Sequence, residues 1–295
     1  MTERVSRLRS ESFLAVPSIS EERAVLMTEF YREQLGKLSI PMLRARSFLH
    51  LCEHKSIWIG ESELIVGERG PAPKAVPTYP ELNCHSRLDL EILRDRDSVP
   101  YTVSDEAIEA YERVVIPYWS GRSMRDRLFA ELPDEWIAAY ESGLFTEFME
   151  QRAPGHTSLD GKIYEKGLRE IQDEIDARLE RTDPAADPRA LAQREQLAAM
   201  AVACEAAIVF AERHAALAEE RAAQTTDSAR RAELESIASI CRRVPAHAPR
   251  TFHEALQMYW FVHLGTITEL NGWDAMNPGR LDQHLYRFYR AEVDA

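Results

Sequence analysis

Two short stretches of this chain pair an ionisable side chain with turn-forming residues. Asp274 follows Trp273 and lies between Asn271-Gly272 and Asn277-Pro278-Gly279. Both flanking motifs favour turns. A carboxylate beside a tryptophan, held between two turns, is a common way to place an ionisable group at the wall of a pocket. The same spacing also fits a surface loop whose aspartate caps a helix. His156 follows Pro154-Gly155, which fix its imidazole on a rigid turn. Such a histidine can exchange protons near neutral pH, or simply satisfy a neighbouring backbone group. The sequence has no P-loop, no G-x-G-x-x-G and no G-x-S-x-G. No His or Cys pair has the spacing of zinc ligands. Cys84 and His85 are adjacent and so point apart, and Cys84 reads as a buried thiol.

The elements that must position these residues are mostly helices. Residues 18–21 read as a capping box, followed by Val25, Leu26, Phe30 and Leu35 at helical spacing. A second helix starts at Pro41 and carries Leu43, Phe48, Leu49 and Leu51. Residues 57–59 and 64–66 read as two short strands about a Gly60-Glu61 turn. Residues 70–80 hold four prolines and must be extended. Short helices follow from 88 to 153, with Ser104 as an N-cap and a start at Pro133. A charged helix spans 162–181. The stretch 182–188 is linker-like, but it separates two helices rather than two domains. Residues 190–223 form a long alanine-rich helix with Leu197, Met200, Ala201, Cys204, Ile208 and Phe210 inward. Residues 228–243 form another, ended by Pro245. Tyr259 to Val262 belong to an apolar aromatic helix that breaks at Asn271. Asp282 reads as structural, pairing with Arg280 or capping the next helix.

The chain has 295 residues, 45% of them hydrophobic, enough to bury a sizeable core. Its net charge is -13 with no basic block, which argues against nucleic acid and against an anionic membrane surface. No apolar run is long enough to span a bilayer, and the N-terminus has no signal-peptide core. The four cysteines are scattered, so a reducing cytoplasm is the simplest setting.

Three ordered phrases carry a resemblance. They are Glu63-Leu64-Ile65-Val66-Gly67, the run from Arg243-Val244-Pro245 through Pro249-Arg250-Thr251-Phe252-His253-Glu254-Ala255-Leu256-Gln257, and Asn277-Pro278-Gly279-Arg280-Leu281-Asp282-Gln283-His284. Together they resemble glycyl radical enzymes of the pyruvate formate-lyase type. The stretches 73–80, 146–157 and 261–274 resemble the family's hydroxyproline-dehydrating members in particular. The resemblance implies a mainly α chain with a few short strands, residues 1–295 forming the N-terminal portion of the family's ten-stranded β/α barrel. It implies loss of water from trans-4-hydroxy-L-proline to give pyrroline-5-carboxylate. His156 and Asp274 are carried over as catalytic pocket residues and Phe148 as a substrate-binding aromatic wall. One of the two ionisable groups would face the leaving hydroxyl and the other the ring ammonium.

The family needs a cysteine in a G-C-V-E-like loop and a glycine in an R-V-x-G-Y-like segment, and neither phrase occurs in these residues. The chain is therefore expected to hold part of a substrate pocket, to expose apolar faces that later strands would cover, and to be inactive alone. No cofactor is expected in it. The resemblance implies a glycyl radical in a further C-terminal part, installed by an iron–sulfur activating enzyme that uses S-adenosylmethionine. It also implies a homodimer at full length. Two other readings stand beside this one: another glycyl radical eliminase, acting on glycerol, a diol, choline or a sulfonate, and a non-catalytic helical scaffold.

Overall fold

A computed structural model describes residues 2–144, 159–185, 187–270 and 279–294. Helix dominates it. In order come α1 (Glu3–Leu14), β1 (Ser18–Ser20), α2 (Glu22–Gln34), α3 (Ile40–His54), β2 (Ala75–Pro77), α4 (Arg87–Asp95) and α5 (Asp105–Ala110). A π-helical turn, Tyr111–Val115, joins α5 to α6 (Ile116–Trp119). Then follow α7 (Met124–Glu131), α8 (Asp134–Glu141), a 3-10 turn (Asp160–Tyr164) and α9 (Leu168–Arg181). The last four are α10 (Ala190–Gln224), α11 (Ser228–Arg243), α12 (Phe252–Glu269) and α13 (Leu281–Val293).

The 35-residue α10 is the spine, with α3, α9 and α11 packed along it. Its buried face is largely alanine: Ala199, Ala206, Ala211, Ala215, Ala218 and Ala222. Small side chains let neighbouring helix ridges settle deeply into its grooves. Phe48 and Cys52 of α3, Leu234 and Ile237 of α11, and Phe261 and Leu264 of α12 complete this core. A second core joins α2, α4 and the α5–α6 segment around Tyr111 and Leu90, with Leu51 of α3 reaching into it. A third joins the 3-10 turn, α12 and α13. So α3 and α12 each serve two cores at once.

Several helix starts fall where the sequence places them. Ser104 caps α5 by accepting from the Ala107 N–H, α3 has its proline in the first turn, and Pro133 precedes α8. The box expected at 18–21 does not form. Ser18–Ser20 is instead a strand, parallel to Ala75–Pro77, and Glu21 caps α2 without a side-chain bond. This pair is the two-stranded sheet of the described residues. Met200 is also a correction, since it is 45% exposed rather than inward.

Residues 57–66 do not form the two expected strands. Side chains from the helices replace the missing strand partners. The Gln257 amide accepts from the Val66 N–H at 2.8 Å and donates to the Val66 carbonyl at 2.9 Å, as a neighbouring strand would. His253 donates to the Leu64 carbonyl at 2.7 Å and Trp260 to the Gly67 carbonyl at 2.8 Å. Arg230 donates to the carbonyls of Gly60 and Glu63, and Arg221 to that of Ile59. Buried Lys55 donates to the Glu68 and Arg69 carbonyls. Two of the matching phrases, some 190 positions apart, are therefore physically paired.

Gly67 sits where this segment meets the core, at φ +116°, and a Cβ there would lie 2.7 Å from Leu264 Cδ1 and 3.4 Å from His214 Nε2. Only glycine fits both the backbone and the space. His214 is fully buried, donates through Nδ1 to the Phe210 carbonyl at 2.8 Å, and packs against Phe210 and Phe261. Burial pushes its imidazole down to about 4. Its unfolded value is near 6.5, so between those limits the unfolded chain binds the extra proton and stability falls as pH drops. This group accounts for about 3 kcal/mol lost from roughly pH 6.5 to 4. His214→Leu cannot charge and should flatten that loss. Urea midpoints of both proteins across this range provide the check, and parallel acid profiles would count against the assignment.

Candidate active-site region

α3, α9, α10 and α12 enclose an open cleft of about 650 Å³. Its walls are mostly apolar: Ile40 and Phe48 from α3, Ile171 from α9, Met200 and Ala203 from α10, and Phe261 and Val262 from α12. Gly265 faces Phe48 across it, where a Cβ would sit 3.3 Å from the ring. The exposed Met200 is part of this lining. An apolar concavity with a few charged groups at one end is the usual form of a small-molecule pocket.

The charged groups gather at the C-terminal end of α12. Arg44 forms an ion pair with Glu269, its Nε 3.0 Å from Oε1, and both residues line the cleft. Behind them Arg23, only 4% exposed, donates to the Thr268 carbonyl at 2.7 Å and to the Thr78 carbonyl at 3.2 Å. Arg23 also grips Glu81 with both terminal nitrogens, at 3.2 and 2.5 Å. Its guanidinium lies 4.0 Å from the centre of the Tyr79 ring, and the Tyr79 hydroxyl donates to the Ile267 carbonyl. Burial opposes the Arg23 charge, but the Glu81 carboxylate outweighs it and holds the group above its ordinary range. A cation at the last carbonyls of a helix also meets the negative end of its dipole. These contacts fix the last turn of α12.

Phe148, His156 and Asp274 lie outside the described residues. The described residues nearest to His156 and Asp274 in the chain are Leu159 and Leu270, and both line the cleft. The described part of the third phrase, 279–284, leads into α13, where His284 Nε2 lies 3.0 Å from Asp160 Oδ1 and its ring stacks on Tyr164. Asp282 is exposed in the first turn of α13, favoured by the helix's positive end, with no side-chain cap formed there. Burial disfavours the thiolate form of all four cysteines. Burial pushes Cys52, Cys84 and Cys241 up to about 12 and Cys204, in the cleft wall, up to about 11. Cys84 is half-buried rather than buried.

Sequence reasoning missed Arg23, Glu81 and the Arg44–Glu269 pair. One signal was present. Arg23 stands one helical turn before Met27, on the face that α2 buries, and a lone cation on an apolar face needs a partner elsewhere. Nothing local pointed to Glu81. The Thr251–Glu254 capping box that opens α12 was also legible, as Thr-x-x-Glu ahead of an apolar run.

A mostly helical scaffold around an apolar cleft, in which phrases some 190 positions apart are paired, is the class that these features define. The chain belongs to the pyruvate formate lyase-like family, whose model matches residues 1–295. It is 49% identical over 292 residues to trans-4-hydroxy-L-proline dehydratase of Clostridioides difficile, covering 99% of this chain and 37% of that protein. The crystal structure of that organism's hydroxyproline dehydratase with trans-4-hydroxy-L-proline bound superposes with a TM-score of 0.94, over 100% of this chain and 37% of the other. Isethionate sulfite-lyase of Oleidesulfovibrio alaskensis is 31% identical over 289 residues, 94% of this chain and 35% of that protein. A glycyl radical enzyme of Archaeoglobus fulgidus matches at 28% identity and a TM-score of 0.89, over 99% of this chain and 37% of that one. The chain thus spans little more than a third of the length of these relatives. Among the described residues no helix is long and apolar enough to cross a membrane.

Proposed function

We propose that this chain is the N-terminal portion of one pyruvate formate-lyase-like domain in a glycyl radical dehydratase that removes water from trans-4-hydroxy-L-proline. The observation that carries this reading is the gap between relatives: 49% identity to the hydroxyproline dehydratase against 31% to the sulfite-lyase, over the same stretch of chain. The matching phrases that hold Phe148, His156 and Asp274 support it.

The residues of this chain act on the substrate's polar groups. The ring nitrogen of a hydroxyproline is a cation, and a carboxylate beside it holds the ring in register. Hydroxide is a poor leaving group, so it departs with a proton or a strong hydrogen bond from a placed acid. His156 and Asp274 divide these two tasks, and Phe148 packs on the ring. Hydrogen abstraction from the ring belongs to a thiol and a glycyl radical in a further part of the enzyme. The lack of both radical phrases in these residues fits that division. In this reading the complete enzyme is a homodimer charged by an S-adenosylmethionine iron–sulfur activating enzyme.

The test is an anaerobic assay of the full-length protein with its activating enzyme, offering trans-4-hydroxy-L-proline, isethionate and glycerol separately. Hydroxyproline should be preferred by at least about a hundredfold in kcat/KM, the scale set by a site built around polar groups that the other two lack. A preference for isethionate or glycerol would replace the reading with another eliminase of the family. No turnover on any of the three would favour the scaffold.

A further inference from the structure

α3 carries His50, Glu53 and His54 within little more than one turn. Residues three and four apart share a helix face, so His50 and His54 do have the H-x3-H spacing of zinc ligands, which corrects the reading that no histidine pair has it. One potential ligand atom from each of the three side chains lies within 4.8 Å of those from the other two. The two imidazole rings are 4.2 Å apart and inclined by 36°. His54 Nδ1 lies 2.8 Å from the His50 carbonyl oxygen. A carbonyl only accepts, so Nδ1 carries the hydrogen and the neutral ring keeps its lone pair on Nε2. A backbone bond of this kind is the usual support that fixes the tautomer of a ligating histidine. His50 Nε2 is shielded from solvent and has no hydrogen-bond partner. Its ring is held against Phe30 at 5.4 Å. Burial and the neighbouring His54 hold the His50 imidazole below its ordinary range, against the smaller opposing pull of Glu53 and of Glu29 and Glu33 on α2.

We propose that His50, Glu53 and His54 form a surface site for one divalent first-row transition-metal ion of the zinc, nickel or copper type. Two imidazoles select these ions over magnesium and calcium, which prefer oxygen donors. Metal–nitrogen bonds of about 2.0–2.1 Å draw the ligand atoms closer than their present spacing, and the exposed His54 and Glu53 side chains are the ones that turn to do so. Three protein ligands leave the remaining positions to water. The site is separate from the cleft and does not depend on the reading of the reaction.

Tag-free, metal-stripped protein titrated calorimetrically with Zn²⁺ alone, and then with Ni²⁺ alone, tests this. The expected result is one ion per chain, unaffected by excess Mg²⁺. His54→Gln and His50→Gln should each weaken binding by about tenfold or more, since each removes one of three ligands. His54 is exposed, so His54→Gln should keep the wild-type circular dichroism and report on binding alone. His247→Gln, on an exposed histidine elsewhere, should bind as wild type. Equal affinity of wild type and His54→Gln, or no binding near 1 mM ion, overturns the proposal.

Discussion

Arg23→Met should cost this chain about 3–5 kcal/mol of stability, the range for breaking a buried ion pair from one side. The substitution roughly preserves volume, so the loss comes from polar groups. It strands the Glu81 carboxylate, whose side chain is 21% exposed, and removes donors from the Thr268 and Thr78 carbonyls. It also removes the cation from the face of Tyr79. The double change Arg23→Met/Glu81→Gln should recover part of the loss, because no charge is then left behind. It should not recover all of it, because both carbonyls stay unpaired. Denaturant unfolding of wild type, single and double variants measures each quantity. A single-variant loss below about 1 kcal/mol would show that the cluster does not hold the end of α12. The position bears on the proposed function, in which Asp274 follows five residues after the end of α12 at Glu269.

Asp274→Asn should lower turnover of hydroxyproline by the complete enzyme about a hundredfold or more, the usual scale for losing an acid–base group. Asparagine keeps the size and some hydrogen bonding but neither the charge nor a transferable proton. Asp282→Asn is the contrast. Asp282 is exposed at the start of α13, where a carboxylate contributes only about 0.3–1 kcal/mol through the helix dipole. That change should shift the thermal midpoint slightly and leave specific activity intact. Measuring midpoint and turnover for both variants separates the roles. Should Asp274→Asn lose stability yet keep normal specific activity, Asp274 is a helix cap and the catalytic role is wrong.

What the sequence determined by itself was local, or was carried by phrases. Ser104 and Pro41 marked helix starts because caps and prolines act on their own few neighbours. The alanine run announced α10 because helix propensity sums along a segment, and the ordered phrases placed the chain in its family. Tertiary structure decided wherever a backbone group found its partner far away. Residues 64–66 have the composition of a strand, but Val66 pairs with the Gln257 amide, so no strand is needed there. Ser18 sits ahead of a helix like a cap, but the Ala75–Pro77 segment lies alongside and takes it into a sheet. The partners of Arg23, namely Thr78, Tyr79, Glu81 and Thr268, come from segments 55 to 245 positions away and meet only in the folded chain. Local propensity is worth tenths of a kcal/mol per residue. A buried donor or acceptor left unpaired costs about 1–3 kcal/mol, so the distant partner prevails over the local preference.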